Sequence, residues 1–138
     1  MYAPRVPRAA LAALALVLAC KHRPPPRPHV PQVTTGTCIG DPGEQAETLR
    51  IRETTQRALA AYRIGVADIF VRDAPDKVGA MAPRLSARIA LFDPTTDTSH
   101  EETVIAGSVV TVGADRYCVV GLEEANLSPG WLSLRKLP

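Results

Sequence analysis

Apolar and polar residues alternate along much of the second half of the chain, and this pattern constrains the fold more than any other feature. In an extended strand beginning near residue 85, one face would be apolar, with Leu85, Ala87, Ile89 and Leu91. Because successive side chains of a strand point to opposite faces, a period of two residues predicts half-buried β-strands. The same reasoning predicts strands at 108–112, 116–122 and 131–137, with a short hairpin loop at 113–115.

Apolar residues also alternate from Tyr62 to Val66, after which the pattern slips by one residue. Such a slip predicts a β-bulge beside Gly65. Several short strands joined by turns predict a mainly all-β fold, a small antiparallel β-sandwich or barrel. Longer loops are expected at 72–83 and 93–99.

Residues 44–61 allow two interpretations. A short helix is one, with Asp41 as its N-cap. Against it, the expected apolar stripe is interrupted, and Thr54 and Thr55 are β-branched. We therefore favour strands in this range, for example at 49–52, and keep the helix as the alternative.

The distribution of charge excludes one class of partner. A chain of 138 residues has room for one domain, which we place at 38–138. The first 37 residues carry five Lys/Arg and no acid, whereas residues 38–138 carry eleven Lys/Arg against fourteen Asp/Glu. Nucleic-acid binding requires clustered positive charge, so no nucleic-acid partner is expected for this mildly acidic domain.

The N-terminal residues have the organisation of an export signal. Arg5 and Arg8 precede an uncharged run, rich in Leu and Ala, from Ala9 to Ala19. A run of this length is too short to cross a bilayer of about 30 Å as a helix, but it suits the apolar core of a signal peptide. Residues 1–19 are therefore predicted to be a signal peptide.

The run ends in Val17-Leu18-Ala19-Cys20, which resembles the lipobox of bacterial lipoproteins. In that family a peptidase cleaves before the cysteine, whose thiol receives a diacylglycerol. The resemblance implies lipidation of Cys20 and a membrane contact through the lipid anchor, in the cell envelope. Lys21, rather than Asp, implies the outer membrane, with the domain facing the periplasm. An ordinary secretory signal that releases a secreted protein and a retained anchor are the alternatives.

Residues 20–37 are predicted to combine the lipidated cysteine with a proline-rich tether. Five prolines between Pro24 and Pro31 preclude a helix and favour an extended polyproline II segment. His22 and His29 lie in this linker, where we expect no preorganised metal site.

Cys38 and Cys118 are the cysteines that remain after Cys20. In an oxidising compartment they are predicted to form one disulfide, which would close a loop of about 80 residues and stabilise the domain by roughly 4 to 5 kcal/mol in the chain-entropy model. Two unrelated thiols are the alternative.

The segment 93–102 is the one candidate for a metal site. Asp93, Asp97 and Glu101 recur at every fourth position, and calcium binds six to eight oxygens from a tightly turning segment. The EF-hand pattern nevertheless fails twice, since its sixth position is Thr98 and its twelfth is Val104. The prediction is a weak calcium site of unusual form.

No catalytic constellation is evident in the sequence. His100 is the single histidine of the predicted domain, and we expect it to face solvent at the start of a strand. The adjacent glutamates at 101–102 and 123–124 are expected on solvated faces, because glycoside hydrolysis needs two carboxylates across a cleft.

The leading hypothesis is a non-enzymatic cell-envelope lipoprotein whose β domain binds another envelope protein, without a cofactor. Sheet edges and loops are natural docking surfaces on such domains. A small-ligand or calcium-binding module that uses the 93–102 loop is the alternative, and an envelope hydrolase is the third.

Overall fold

The computed structural model describes residue 25, residues 28–126 and residues 128–138. In these ranges the chain forms nine β-strands and no helix: β1 Val33–Thr35, β2 Thr48–Arg52, β3 Gln56–Leu59, β4 Tyr62–Pro75, β5 Met81–Asp93, β6 Thr98–Ile105, β7 Val109–Val112, β8 Asp115–Glu123 and β9 Trp131–Lys136. The strands form two antiparallel sheets, which we name sheet A and sheet B. The predicted all-β sandwich is confirmed.

Sheet A combines strands from both ends of the domain. Its order is β1–β8–β9–β2, and β7 also pairs with β8. Val33 of β1 lies opposite Glu123 near the end of β8, whereas Val109 of β7 lies opposite Cys118 in its first half. β1 and β7 therefore lie end to end along one edge of β8, and β9 occupies the other edge.

Sheet B is built from four strands that are consecutive in the chain, β3–β4–β5–β6. The β4–β5 hairpin is the longest, and its ladder ends at the pair Pro75–Met81. The turn that follows is closed by Asp76, whose Oδ1 accepts hydrogen bonds from the backbone N–H groups of Val78 and Ala80, each at 2.9 Å. A side chain that satisfies its own turn in this way favours tight reversal of the strands.

The core lies between the facing sides of the two sheets. Its fully buried large side chains are aliphatic and come from both sheets: Ile51, Val110, Val119, Leu122, Leu132 and Leu134 from sheet A, and Ile64, Val66 and Ile89 from sheet B. Each such side chain contributes about 1.5 to 3 kcal/mol through removal of apolar area from water. This burial is the main force that holds the two sheets together.

Most of the predicted strand pattern is confirmed. Leu85, Ala87 and Ile89 are buried on one face of β5, and β7, β8 and β9 occupy the predicted ranges within a residue or two. The register of β4 shifts between Val66 and Asp68, close to the predicted bulge. Residues 44–61 contain β2 and β3, so the strand interpretation was right there and the helix alternative was wrong.

Three local expectations differ from the structure. The longer loop expected at 93–99 is a turn of four residues, because β5 continues to Asp93 and β6 begins at Thr98. The predicted loop at 72–83 is wrong, because β4 continues to Pro75 and β5 begins at Met81, which leaves a turn of five residues. Arg72 and Asp73 lie within β4, where polar residues on the solvent side of a strand are ordinary. In addition, β1 lies within the range assigned to the tether. In the described part of the chain, no helix has the length and apolarity that a membrane crossing requires.

Candidate functional site

The outer face of sheet A, which points away from the core, carries Cys118 and Arg135. These residues lie opposite each other in the β8–β9 ladder. Their chain neighbours Val119 and Leu134 belong to the core, so alternation places both on the opposite face. Residues 36–47, which connect β1 to β2, contact this outer face. We call them the cover segment.

A disulfide fastens the cover segment to the sheet. Cys38 and Cys118 are bonded, with their Cα atoms 5.8 Å apart, and both residues are buried together with Leu137. The predicted pairing is therefore confirmed. Since the bond joins the start of the domain to a strand near its end, it constrains the unfolded chain strongly.

The cover segment begins where two backbones touch. A Cβ atom added to Gly36 would lie 2.3 Å from the backbone nitrogen of Gly107 and 2.5 Å from the carbonyl carbon of Ala106. The backbone N–H of Gly36 donates to the carbonyl of Val120, at 3.1 Å, and that of Gly107 donates to Val119, at 2.7 Å. The end of β1 and the approach to β7 thus meet beside the middle of β8. Only glycine fits at position 36.

An ion pair forms a second attachment. Nη1 of Arg135 donates to both carboxylate oxygens of Asp41, at 2.9 and 3.1 Å, and the two side chains are only 10% and 8% exposed. Nη2 of Arg135 donates to the hydroxyl of Thr48, at 3.4 Å. The hydrogen bond from Arg135, followed by one from the backbone N–H of Gly43, lowers the pKa of Asp41 below its usual value of 3.8. The pair therefore keeps its charges near neutral pH.

An open groove of about 860 Å³ lies beside the cover segment on the outer face of sheet A. Its floor passes over Gly121 and Ser133, which lie opposite each other in β8 and β9. Because both residues are small, no side chain rises from the middle of the sheet. Hydroxyl groups surround this floor, from Thr35, Thr37 and Thr48.

The far side of the groove is bounded by a second, more exposed ion pair. Arg50 and Glu123 are paired with both side chains about half exposed. The guanidinium of Arg50 lies over the ring of Trp131, 4.5 Å from its centroid, an arrangement that adds a cation–π attraction. Along β9, Trp131 and Arg135 are four residues apart, so the two ion pairs flank the floor at a spacing of about 13 Å.

The lining of this groove is mixed in polarity, and it includes the exposed aliphatic side chain of Val33. Its described lining offers hydroxyls, main-chain groups and paired charges, and it includes no histidine and no thiol outside the disulfide. The Nε atom of Arg135 is buried and has no partner among the described residues. Buried polar atoms of this kind are rare in folded proteins, so the guanidinium retains unused donor capacity at the edge of the groove.

The structure separates the residues of the predicted calcium site. In the β5–β6 ladder Asp93 lies opposite Thr98, and Glu101 lies opposite Ala90. Asp93 shares its face of β5 with the buried Ile89, whereas Ala90 and Glu101 lie on the other face. Asp93 and Glu101 therefore point to opposite sides of sheet B.

Asp97 is also apart from both, in the turn between β5 and β6. It is exposed and has a φ of 52°. Oδ1 of Asp93 instead accepts a hydrogen bond from the backbone N–H of Thr95, at 2.8 Å, which is an ordinary turn contact. Across the described residues, no three His, Cys, Asp or Glu side chains are grouped so that they could hold a metal ion. The geometry gives the calcium hypothesis no support.

The other candidate residues lie where a structural role explains them. His100 is exposed near the start of β6, as predicted. Glu123 belongs to the ion pair at the groove. The carboxylate of Glu124 accepts a hydrogen bond from the backbone N–H of Gln32, at 3.1 Å, and lies 2.9 Å from Nε2 of His29. This contact fixes the chain that leads into β1 against the end of β8.

Sequence reasoning missed the groove and its buried ion pair. Asp41 enters the sequence analysis only as a helix cap, and Arg135 only as part of the predicted strand at 131–137. The two are 94 positions apart, so no local pattern links them. One signal was available in the sequence. Cys118 and Arg135 lie in two consecutive predicted strands, and in each strand the alternation of side chains places the residue on the face opposite the core.

The signal peptide, the lipobox and Cys20 lie outside the described residues. Comparison with known proteins adds no relative: no family model, no curated protein and no solved structure matches this chain. The functional argument therefore depends on the geometry of the groove and on the physical chemistry of its lining.

Proposed function

We propose that this chain is a non-enzymatic, lipid-anchored protein of the bacterial cell envelope whose β domain binds an extended segment of another envelope protein. The groove on the outer face of sheet A is the proposed binding site. The single observation that carries the proposal is the flat floor at Gly121 and Ser133, bounded on two sides by ion pairs.

The lining favours a polypeptide over a small ligand. Sites for small molecules enclose most of their ligand, whereas this groove is open along the sheet and offers hydroxyls beside the exposed side chain of Val33. An extended chain that lies across it would exchange hydrogen bonds with Thr35, Thr48 and Ser133. Arg50 and Glu123, being half exposed, are available to charged side chains of the partner.

The rigidity of one wall also supports the proposal. The disulfide and the Asp41–Arg135 pair hold the cover segment before any partner arrives. A preformed site binds more tightly because less conformational entropy is lost on association. Export and lipidation, implied by the resemblance of residues 1–20 to a lipoprotein signal, would place this site where envelope proteins are the available partners.

Crosslinking in cells tests the proposal. A photoreactive amino acid is placed at Thr48, beside the groove, and in a control at the exposed Thr96, in the β5–β6 turn of the other sheet. We expect one protein to be crosslinked from position 48 and not from position 96. Ser133→Trp, which fills the floor, should abolish that crosslink.

A matched substitution guards against an effect on folding. Ser99→Trp introduces the same bulk on the exposed outer face of sheet B, and it should leave the crosslink from Thr48 intact. The thermal midpoints of both variants are measured alongside. If Ser133→Trp folds normally and the crosslink persists, the groove is not the binding site.

A further inference from the structure

One end of the sandwich exposes aliphatic side chains that the proposed binding groove does not use. Ile39 of the cover segment is 96% exposed, Val78 of the β4–β5 turn is 88% exposed and Val109 of β7 is 43% exposed. We name these three residues the apolar end. Scattered exposed apolar residues need no explanation, but several on neighbouring loops mark an interaction surface.

The loops that carry them are in contact. Nζ of Lys77 donates a hydrogen bond to the carbonyl of Thr37, at 3.1 Å, and this lysine also packs against Gly107. Ile39, Lys77 and Val109 line one shallow cavity of about 470 Å³. Three segments from both sheets therefore converge, and Val78 projects from the turn next to Lys77.

The charges beside the apolar end are positive. Lys77 and Arg116 line the cavity, and neither belongs to an ion pair within the described residues. The nearby carboxylate of Asp76 is already engaged by its own turn and by Arg84. The hydrogen bonds from Ala80 and then Val78 lower the pKa of Asp76, so it remains an anion held within the protein.

We propose that the apolar end contacts the surface of an anionic phospholipid bilayer, with Ile39 and Val78 entering the headgroup layer. Aliphatic side chains on loop tips beside cations have the chemistry of interfacial membrane contacts. The two cations that line the cavity, Lys77 and Arg116, complement the negative charge of phospholipid headgroups. The contact deepens the proposed function, on which it rests for its location, by fixing how the domain lies on the membrane.

The length of the N-terminal chain permits this orientation. The chain leading into β1 contacts Glu124 at the end of β8, whereas the apolar end lies near the beginning of that strand. His29 lies nine positions after Cys20, and such a stretch reaches at most about 30 Å. A strand of the length of β8 spans about the same distance, so anchor and apolar end reach one bilayer.

Fluorescence quenching tests the contact in the full chain. Val78→Trp is prepared with Trp131→Phe, so that the new tryptophan is the only one, and vesicles contain phosphatidylglycerol with brominated acyl chains. We expect position 78 to be quenched severalfold more strongly than a tryptophan at Thr96, which lies in a turn at the opposite end of β5. Adding Lys77→Glu reverses one charge and should weaken the contact by roughly tenfold.

The outcomes separate this inference from the proposed function. Equal quenching at positions 78 and 96 overturns the bilayer contact, even if the chain still associates with vesicles through its anchor. An unquenched position 78 that crosslinks to a protein in cells overturns it in favour of a protein contact. In either case the crosslink from Thr48 in the groove continues to report on the proposed function by itself.

Discussion

Sheet A and sheet B each cover one side of the core, but their strands are connected in different ways. Sheet B joins four strands that follow one another in the chain, so every pairing is a hairpin between neighbours. Sheet A joins strands from both ends of the domain and adds a disulfide and a buried ion pair on its outer face. The groove lies on the sheet in which β1 and β2 pair with strands distant in sequence, and whose outer face is partly covered.

Arginine side chains are also buried to different extents on the two outer faces. On sheet B, Arg72 and Arg88 share the carboxylate of Asp68; Arg72 and Asp68 are partly buried, whereas Arg88 is half exposed. On sheet A, Arg135 is buried against Asp41. Exposed pairs contribute little to stability, whereas a buried pair is costly to break. Sheet B therefore depends on its turns and core, whereas sheet A also depends on the disulfide and the buried ion pair that attach the cover segment.

The largest expected difference between the sheets comes from the disulfide. Replacing Cys38 and Cys118 together with alanine should lower the free energy of unfolding by about 2 to 5 kcal/mol. Chemical denaturation measures the loss, and hydrogen exchange locates it. We expect amides of β1 and the cover segment to lose protection before those of the β4–β5 hairpin. Equal loss in both sheets would contradict the comparison.

Two glycine substitutions, one in each sheet, test the difference between the sheets by adding a single methyl group. Gly36→Ala places a Cβ against rigid backbone and should cost about 2 to 3 kcal/mol, in the upper range for overpacking. Gly65→Ala in sheet B meets only the flexible side chain of Gln56, at 3.2 Å, and should be nearly neutral. Thermal unfolding of the two variants measures both effects. If Gly65→Ala were destabilised while Gly36→Ala kept the stability of the unchanged protein, the prediction would be wrong.

Acid should weaken sheet A through Asp41. Its pKa is lowered in the folded protein, so its contribution to stability is fully present above the usual value of 3.8 and is lost as the pH falls below that value. Asp41→Asn should therefore lower the thermal midpoint at neutral pH and flatten its decline in acid.

Asp76→Asn is the matched change in sheet B. The pKa of Asp76 is lowered in the same direction, mainly by hydrogen bonds from the backbone N–H groups of Ala80 and Val78. An asparagine oxygen still accepts these bonds, so the loss at neutral pH should be smaller than for Asp41→Asn. The thermal midpoints of both variants are measured from neutral to strongly acidic pH. An equal loss of stability in the two variants would contradict a special role for Asp41.

The smallest effect is expected at the exposed pair of the groove. Arg50→Ala removes a half-exposed ion pair with Glu123 and should change stability by at most about 1 kcal/mol. Arg88→Ala is its counterpart in sheet B, where Arg88 is paired with Asp68. The two variants should have similar denaturation midpoints, while only Arg50→Ala should weaken the crosslink from Thr48.

Most of the fold could be predicted because the alternation of side chains is local information. Leu85, Ala87 and Ile89 follow it directly, and the cysteine count, together with the predicted export signal, predicted the disulfide. The groove could not be predicted, because Asp41 and Arg135 form their ion pair only when two segments distant in the sequence come together. β1 was missed for a related reason: its three residues form a strand only because β8 offers an edge.

The position of β8 and β9 at the centre of sheet A has a consequence for how the protein is made. A polypeptide emerges with its N-terminus first, and each strand from β3 to β6 pairs with the next strand along the chain, so sheet B is complete in the chain before β8 and β9 have emerged. β1 and β2 must wait for strands that are translated last. A chain truncated before Trp131 would complete sheet B but would lack β9, the strand that joins β2 to the rest of sheet A. The last strand to be synthesised thus decides whether β2 is incorporated into sheet A.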